Sequence, residues 1–417
     1  MEERLRILHT SDWHLGRALC GRRRYDEFAA FLDWLASTIE QEKVDILLIA
    51  GDIFDVGAPS ARAQSLYYNF LGRIAASRVC GHVVIIAGNH DSPLFLNAPS
   101  QILKALDIHI VTTAATDVSE EIIPIKDGDG QTRLIVAAVP YPRDRDIRES
   151  TAGESTADKD KKLIEAISAH YAGAAEAAES LLAELPGPPP MVAMGHLFAA
   201  GGETAPDDMV RDLYVGSLGR VPGEAFPACF DYVALGHLHL PQIIAGDPSR
   251  RYSGSPLAMT FGEASRPKSV CLIDFKGPDN QMEITTLNVP VFQRLHRVSG
   301  DWERIEAEIT ELNQSGEAIW LEVEYTGAEL IGDLRERLWE LTEGGRLEIL
   351  RIRNQRLVSR VLEGLGEGES LADLNEAEVF QRCLDQNSVI EEERAELLTA
   401  YGEILKAMRE DEAEAEA

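Results

Sequence analysis

Residues 83–92 read Val83-Val84-Ile85-Ile86-Ala87-Gly88-Asn89-His90-Asp91-Ser92. The apolar, β-branched run is too short for a helix and predicts a strand buried on both faces. It stops at a glycine. Three side chains that can bind metal or move protons follow it. Open α/β sheets build active sites in this way, with polar groups delivered at the carboxyl ends of buried strands.

The same pattern recurs on both sides of this stretch. Leu5–His9 ends in Thr10-Ser11-Asp12-Trp13-His14, and Ile46–Ala50 ends in Gly51-Asp52-Ile53-Phe54-Asp55. Met191–Met194 ends in Gly195-His196, and Tyr232–Leu235 in Gly236-His237-Leu238-His239. Helical apolar spacing after each of the first three strands, at 25–40, 60–77 and 95–106, predicts an α/β fold with a parallel, doubly wound sheet. Runs at about 242–246, 250–253, 268–275 and 281–288 predict a second, more antiparallel sheet. The polar stretch 149–162 reads as a mobile loop and 163–185 as a helix.

Parallel strands place their carboxyl ends on one edge, so these five ends converge. Five of the ten histidines lie in them. In Asp12-x-His14 and His237-x-His239 the two side chains stand at i, i+2, which on extended chain points them to the same side. Glycines before Asp52, Asn89, His196 and His237 allow sharp turns and close backbone approach. The mixed nitrogen and oxygen donors suit Mn²⁺ or Fe²⁺ better than a thiolate zinc site. They are too many for one ion, and two metals about 3.5–4 Å apart would use them. Asp55 and Asp91 read as residues that orient ligands. As structural alternatives, Asp12 and Asp52 would cap helices and Asn89 would serve its turn. Ser253-Gly254-Ser255-Pro256 reads equally as a loop at the site or a turn. His9, His82, His109, His170 and His296 lack the motif and read as ordinary core or surface histidines.

At 417 residues the chain predicts two or three domains. Its 45% hydrophobic content is enough for packed cores and excludes a disordered chain. No apolar stretch approaches the roughly 20 residues of a membrane span. The charged start, Met1-Glu2-Glu3-Arg4, argues against a signal peptide, so a cytoplasmic protein is expected. Five scattered cysteines without a C-x-x-C pair exclude a disulfide framework or zinc ribbon. The net charge of −30 by itself disfavours nucleic acid. Basic clusters nevertheless survive at Arg22-Arg23-Arg24, at Arg143, Arg145 and Arg148, and at Arg351, Arg353, Arg356 and Arg360. Composition shifts near Val291. The expected division is 1–288, an α+β unit at 289–360, a glycine-rich linker at 361–370, two amphipathic helices within 371–410 and an acidic tail at 411–417. Those helices, 371–384 and 391–408, have no core of their own.

In this order the motifs D-x-H, G-D-x-x-D, G-N-H-D, G-H and G-H-x-H resemble the calcineurin-like metallophosphoesterases. The longer stretches His9-Thr-Ser-Asp-Trp-His-Leu-Gly16, Gly51-Asp-Ile-Phe-Asp55, Gly88-Asn-His-Asp-Ser92, Gly236-His-Leu-His239 and Tyr252-Ser-Gly-Ser-Pro256 are similar to the family of SbcCD nuclease D subunits. Val56-Gly57 after Asp55 departs from the D-R-G of the protein phosphatases. The resemblance implies a β-sandwich flanked by helices (α/β/β/α), a small α+β capping domain and C-terminal helices. It implies a DNA exonuclease on double-stranded ends and an endonuclease on hairpin or single-stranded DNA, acting in repair, recombination and replication. It implies two Mn²⁺ ions, one on Asp12, His14, Asp52 and His239, the other on Asp52, Asn89, His196 and His237. His90 would stand over the scissile phosphate. Arg22, Arg23, Arg24, Arg351 and Arg353 would contact DNA. The partner would be an SbcC-type SMC-like ATPase docked on the C-terminal helices, with two copies of each subunit. A homodimer would form through 60–77 and 93–106. Competing readings are a small-molecule phosphodiesterase of the same superfamily and a non-catalytic scaffold.

Overall fold

The computed structural model describes residues 4–147, 155–204, 221–277, 279–329 and 331–354, with single positions beyond. Its first half runs β1 (Arg4–Thr10), β2 (Ala18–Leu19), β3 (Arg22–Arg23), α1 (Tyr25–Glu42), β4 (Ile46–Ala50), α2 (Ala61–Ser77), β5 (His82–Ile86), α3 (Pro93–Asn97), α4 (Ser100–Lys104) and β6 (Ile108–Val111). Then come β7 (Ile122–Lys126), β8 (Thr132–Ala138), α5 (Asp144–Ile147), α6 (Thr156–Ala183), β9 (Met191–His196), β10 (Tyr232–Gly236), β11 (Gln242–Ile244), β12 (Asp247–Tyr252), β13 (Ser269–Lys276) and β14 (Gln281–Asn288).

Two six-stranded sheets form, in the orders β14-β13-β1-β4-β5-β6 and β11-β12-β10-β9-β8-β7. Successive strand residues point to opposite faces, so each buried strand serves two cores. Leu8, Leu47, Ile49, Val83 and Ile85 pack against Phe28, Phe31 and Leu35 of α1 and Tyr67 and Phe70 of α2. Their neighbours Ile7, Ile46, Leu48, Val84 and Ile86 meet Leu134, Val136, Val192, Met194 and Ala234 of the second sheet. The far face of that sheet, Ile135, Ala137, Ala193, Val233 and Leu235, is covered by Leu163, Ile167, Tyr171 and Ala178 of α6. The layers are α/β/β/α.

A doubly wound sheet is therefore not what forms. Strands β1, β4, β5 and β6 follow one another in a single direction. Right-handed crossovers then deliver every connecting helix to the same face, leaving the other for the second sheet. Strands 268–275 and 281–288 do not join that second sheet. They become β13 and β14 and extend the first one antiparallel from the edge of β1. The second sheet is parallel in its interior, with antiparallel edges β7 and β11. The helix expected at 95–106 breaks into α3 and α4 at Pro99, which has no N–H to continue it. Helix α6 starts inside the expected loop, because Ser155 caps it by accepting from the Asp158 backbone N–H. The rest of that loop, 149–154, lies outside the described residues.

The chain divides into two compact units, residues 1–295 and 296–417. In the second, β15 (Arg294–Gly300), α7 (Trp302–Ser315), β16 (Ile319–Tyr325), α8 (Leu334–Thr342) and β17 (Leu347–Asn354) build a three-stranded sheet in the order β15-β16-β17. Val298, Ile305, Ile309, Leu321, Val323 and Leu338 form its core. The expected linker, C-terminal helices and acidic tail lie outside the described residues apart from single positions. Two of these, Phe380 and Tyr401, stack with ring centroids 4.0 Å apart. Among the described residues no helix is long and apolar enough to cross a membrane.

Candidate metal centre

The loops after β1 and β4 are zipped together by backbone bonds. Asp12 N–H donates to Gly51 O (3.0 Å), His14 N–H to Asp52 O (3.0 Å) and Leu15 N–H to Ile53 O (2.9 Å). Asp12, His14 and Asp52 take φ values of 53°, 48° and 50°, and His237 takes 106°. Extended-chain alternation therefore does not align Asp12 with His14; left-handed turns do. Such residues each cost roughly 1–3 kcal/mol and persist where surrounding structure over-determines them. Here the backbone zipper supplies that constraint. Gly88 and Gly51 are needed for close approach. A Cβ on Gly88 would collide with the Asp52 carboxylate, and one on Gly51 with the His196 ring.

Donor atoms converge in three overlapping groups, each within 4.8 Å: Asp12, His14 and His239; His14, Asp52 and His90; Asp52, His196 and His237. Asp52 Oδ2 lies 3.6 Å from His14 Nε2 and 3.3 Å from His196 Nε2. His14 Nε2 faces His239 Nε2 at 3.2 Å. Asn89 Oδ1 lies 3.0 Å from both His196 Nε2 and His237 Nδ1. Because His196 donates Nδ1–H to Ala50 O (2.9 Å), its Nε2 is the atom turned to the centre. All of these groups are buried except Asn89 and His90, which are half-exposed. The donor set suits two divalent cations on either side of Asp52.

The electrostatics agree with that fit. Burial would raise Asp52, but the imidazoles of His196, His14 and His90 outweigh it and hold the carboxyl well below its usual range. Burial would lower His196, yet Asp52 raises it to about 9. Burial and then His196 push His237 well down, and burial lowers His14. These neutral imidazoles keep lone pairs for a metal.

Around the donors lies a supporting layer. Asp55 Oδ1 sits 3.3 Å from His14 Nδ1 and accepts from Arg17 at 3.1 Å. Asp91 accepts from the N–H groups of Ile53 (3.2 Å), Phe54 (3.0 Å) and Gly88 (2.9 Å), tying the β4 loop to the β5 loop. Burial, then the Asp52 charge, raises Asp91 to about 6 despite those donors. His90 donates Nδ1–H to Asp55 O (2.8 Å), and its backbone N–H donates to Asp52 Oδ1 (2.9 Å). Ser253 is at the centre, with its hydroxyl 2.8 Å from that of Ser11, which donates to Asp12 Oδ2 (2.6 Å).

The motifs did not reveal Glu263 and Lys268, which stand far from His239 in sequence. Glu263 Oε1 lies 3.7 Å from His239 Nδ1. The Lys268 ammonium bonds Glu263, His239 O (2.9 Å) and Ser255 Oγ (2.9 Å). Lys268 and His239 hold the Glu263 carboxyl far below its usual range against the effect of burial.

The arginines divide. Arg22 and Arg23 are exposed on the β2–β3 hairpin. Arg24, expected to contact DNA, is buried against Glu27 (2.7 Å) and the Ala258 carbonyl (2.6 Å), which closes it to a phosphate. Arg351 and Arg353 turn toward buried Glu322, at 3.5 and 3.1 Å, and Arg297 joins them. A buried carboxylate needs such neutralisation. Part of their charge is thereby answered within their own unit, while the Arg351 side chain stays half-exposed.

A profile of the calcineurin-like phosphoesterases matches residues 5–241, and one of the type 5 capsule protein repressor C-terminal domain matches residues 291–388. The chain is 35% identical over 396 residues to the D subunit of nuclease SbcCD from Escherichia coli strain K12, covering 94% of this chain and 96% of that one. The Rhodobacter capsulatus protein of the same name is 37% identical over 286 residues, 66% of this chain and 67% of that one. The Bacillus subtilis protein is 38% identical over 274 residues, 65% of this chain and 66% of that one.

Proposed function

The chain belongs to the family of SbcCD nuclease D subunits, on a calcineurin-like phosphoesterase domain, and we propose that it hydrolyses DNA phosphodiester bonds with two Mn²⁺ ions. The observation that carries this reading is Asp52, a carboxylate shared by two donor groups. One ion would rest on Asp12, His14, Asp52 and His239, the other on Asp52, Asn89, His196 and His237. When bound, such ions neutralise the charge of a phosphodiester and lower the pKa of water to near neutrality.

The chain's own residues do the rest. Asp55 and Glu263 orient His14 and His239 through their Nδ1 atoms, and the Ala50 carbonyl does so for His196. Asp91 holds the two loops that carry Asp52 and Asn89. His90 commits Nδ1–H to the Asp55 carbonyl, so Nε2 is the nitrogen left to face the phosphate, and as the imidazolium it would give its Nε2 proton to the leaving 3′ oxygen. It is half-exposed where most of the metal donors are buried, which suits a group that meets DNA. Arg22 and Arg23 are the arginines we retain for phosphate contact. The activity is exonucleolytic on double-stranded ends and endonucleolytic on hairpins and single strands.

The partner is an SbcC-type ATPase that docks on the C-terminal helices, two copies of each subunit forming the complex in the cytoplasm. That partner supplies much of the DNA-binding surface, which reconciles a nuclease with a net charge of −30. The nuclease units pair through α2, α3 and α4; exposed Leu94 (87%), Ile102 (74%) and Leu106 (50%) support this apolar contact. His90→Leu tests the catalytic assignment. It should retain both Mn²⁺ ions by metal analysis and lose cleavage of a double-stranded oligonucleotide by on the order of 10²–10⁴-fold. Unchanged cleavage would overturn it.

A further inference from the structure

A second cluster lies at the other end of β5 from Asn89 and His90. His82 opens β5, Asp107 immediately precedes β6, and His109 is the second residue of β6. The two strands are parallel, with Val83 opposite Ile108 and Val84 opposite His109, so their amino ends lie together. One donor atom from each of His82, Asp107 and His109 falls within 4.8 Å of the other two. Nothing local in the sequence joins these histidines; the β5–β6 register does.

The tautomer of His82 is decided by its surroundings. Its Nε2 lies 2.9 Å from the Lys126 carbonyl, which can only accept, so Nε2 carries the hydrogen. Nδ1 is left with its lone pair. That atom is buried and has no hydrogen-bond partner among the described residues. An imidazole whose far nitrogen is held by a backbone carbonyl is the usual state of a metal-ligating histidine. Asp107 is held in place as well. Its N–H donates to Lys104 O (3.1 Å), its carbonyl accepts from Val83 N–H (3.0 Å), and its φ is 57°. An aspartate tolerates that left-handed geometry better than most residues.

We propose that His82, Asp107 and His109 form a Zn²⁺ site, separate from the paired-metal centre, that clasps the amino ends of β5 and β6. Two imidazoles and one carboxylate fit zinc with water in its fourth position. The clasp closes the segment that carries Asn89, His90 and Asp91. Zinc bound there stabilises the folded chain by mass action, without touching the nuclease chemistry.

The test uses the full chain and zinc itself. Equilibrium dialysis against Zn²⁺, with bound metal counted by mass spectrometry, should give one zinc ion fewer per chain for Asp107→Asn/His109→Gln than for the wild type. The paired-metal centre contributes equally to both counts. Mn²⁺-dependent cleavage should be unchanged. Asp107→Asn alone alters an exposed residue and keeps the left-handed backbone accessible, so it serves if the double variant misfolds. It should weaken the additional zinc at least about 10-fold. Equal zinc stoichiometry and affinity in wild type and variants would overturn the site.

Discussion

The two sheets feed the metal centre with unlike groups. The loops after β1, β4 and β5 carry Asp12, Asp52 and the Asn89 amide, with His14 and His90 beside them. They are bonded to one another through Asp12, His14 and Asp91. The loops after β9 and β10 carry imidazoles, and they are pinned across to the first sheet. His196 donates to Ala50 O, and the His237 backbone N–H donates to Asp12 Oδ1 at 2.8 Å. The first sheet is thus the anionic, self-supporting half, and the second is an imidazole half positioned by it. Carboxylates answer a cation's charge, whereas imidazoles give direction. Losing one from each side should therefore have unequal effects.

Asp52→Asn should have the largest effect. It removes the charge shared by two donor groups, so both ions should be lost and cleavage should fall by at least on the order of 10³-fold. Metal analysis showing two retained ions would break the contrast between the halves. His196→Ala, from the imidazole side, should release one Mn²⁺ and leave the other, which calorimetric titration would resolve. Loss of both ions would show that the second sheet is no mere follower.

Glu263→Gln tests the support of His239. It should weaken one metal position about 10–100-fold. It also leaves the Lys268 charge buried and unpaired, a penalty of about 3–5 kcal/mol. Glu263→Gln/Lys268→Met should recover that stability but not the metal affinity. Recovery of both would reduce Glu263 to a partner of Lys268 alone.

The smallest effect belongs to His9, a buried imidazole between the sheets but outside the donor groups, 2.9 Å from the Tyr232 hydroxyl. Burial, with help from Arg251, lowers its pKa from 6.5 to about 3. Between those values the unfolded chain binds more protons than the folded one. The contribution is therefore complete above pH 6.5 and is lost as pH falls toward 3. Unfolding free energies from denaturant titration should favour wild type over His9→Gln by ~1–2 kcal/mol at pH 7.5. The difference should vanish between about pH 5 and 6 and reverse in sign by about pH 4. A constant difference would show that His9 does not titrate in this way.

Much of this is legible in the sequence. Each of the five strand ends carries its own evidence: a short buried strand, a glycine or hydroxyl residue and a metal-competent side chain within a few residues. That local chemistry is enough to name the candidate donors. Where expectation and structure part, the missing quantity is spatial. Alternation at i, i+2 holds only on extended chain, and at Asp12 and His14 left-handed turns replace it. Arg24 reads like Arg22 and Arg23 but turns inward to Glu27. The start of α6 is written in Ser155 and Asp158, although the polarity around them reads as a loop.

The sequence by itself therefore determined the donor types, the strands that present them and the family to which they belong. All of these depend on neighbours along the chain. Tertiary structure alone decided that β13 and β14 extend the first sheet, that Glu263 and Lys268 stand behind His239, and that His82 meets Asp107 and His109. Those pairings join residues distant in sequence, and strand order and register bring them together. No local propensity encodes that register.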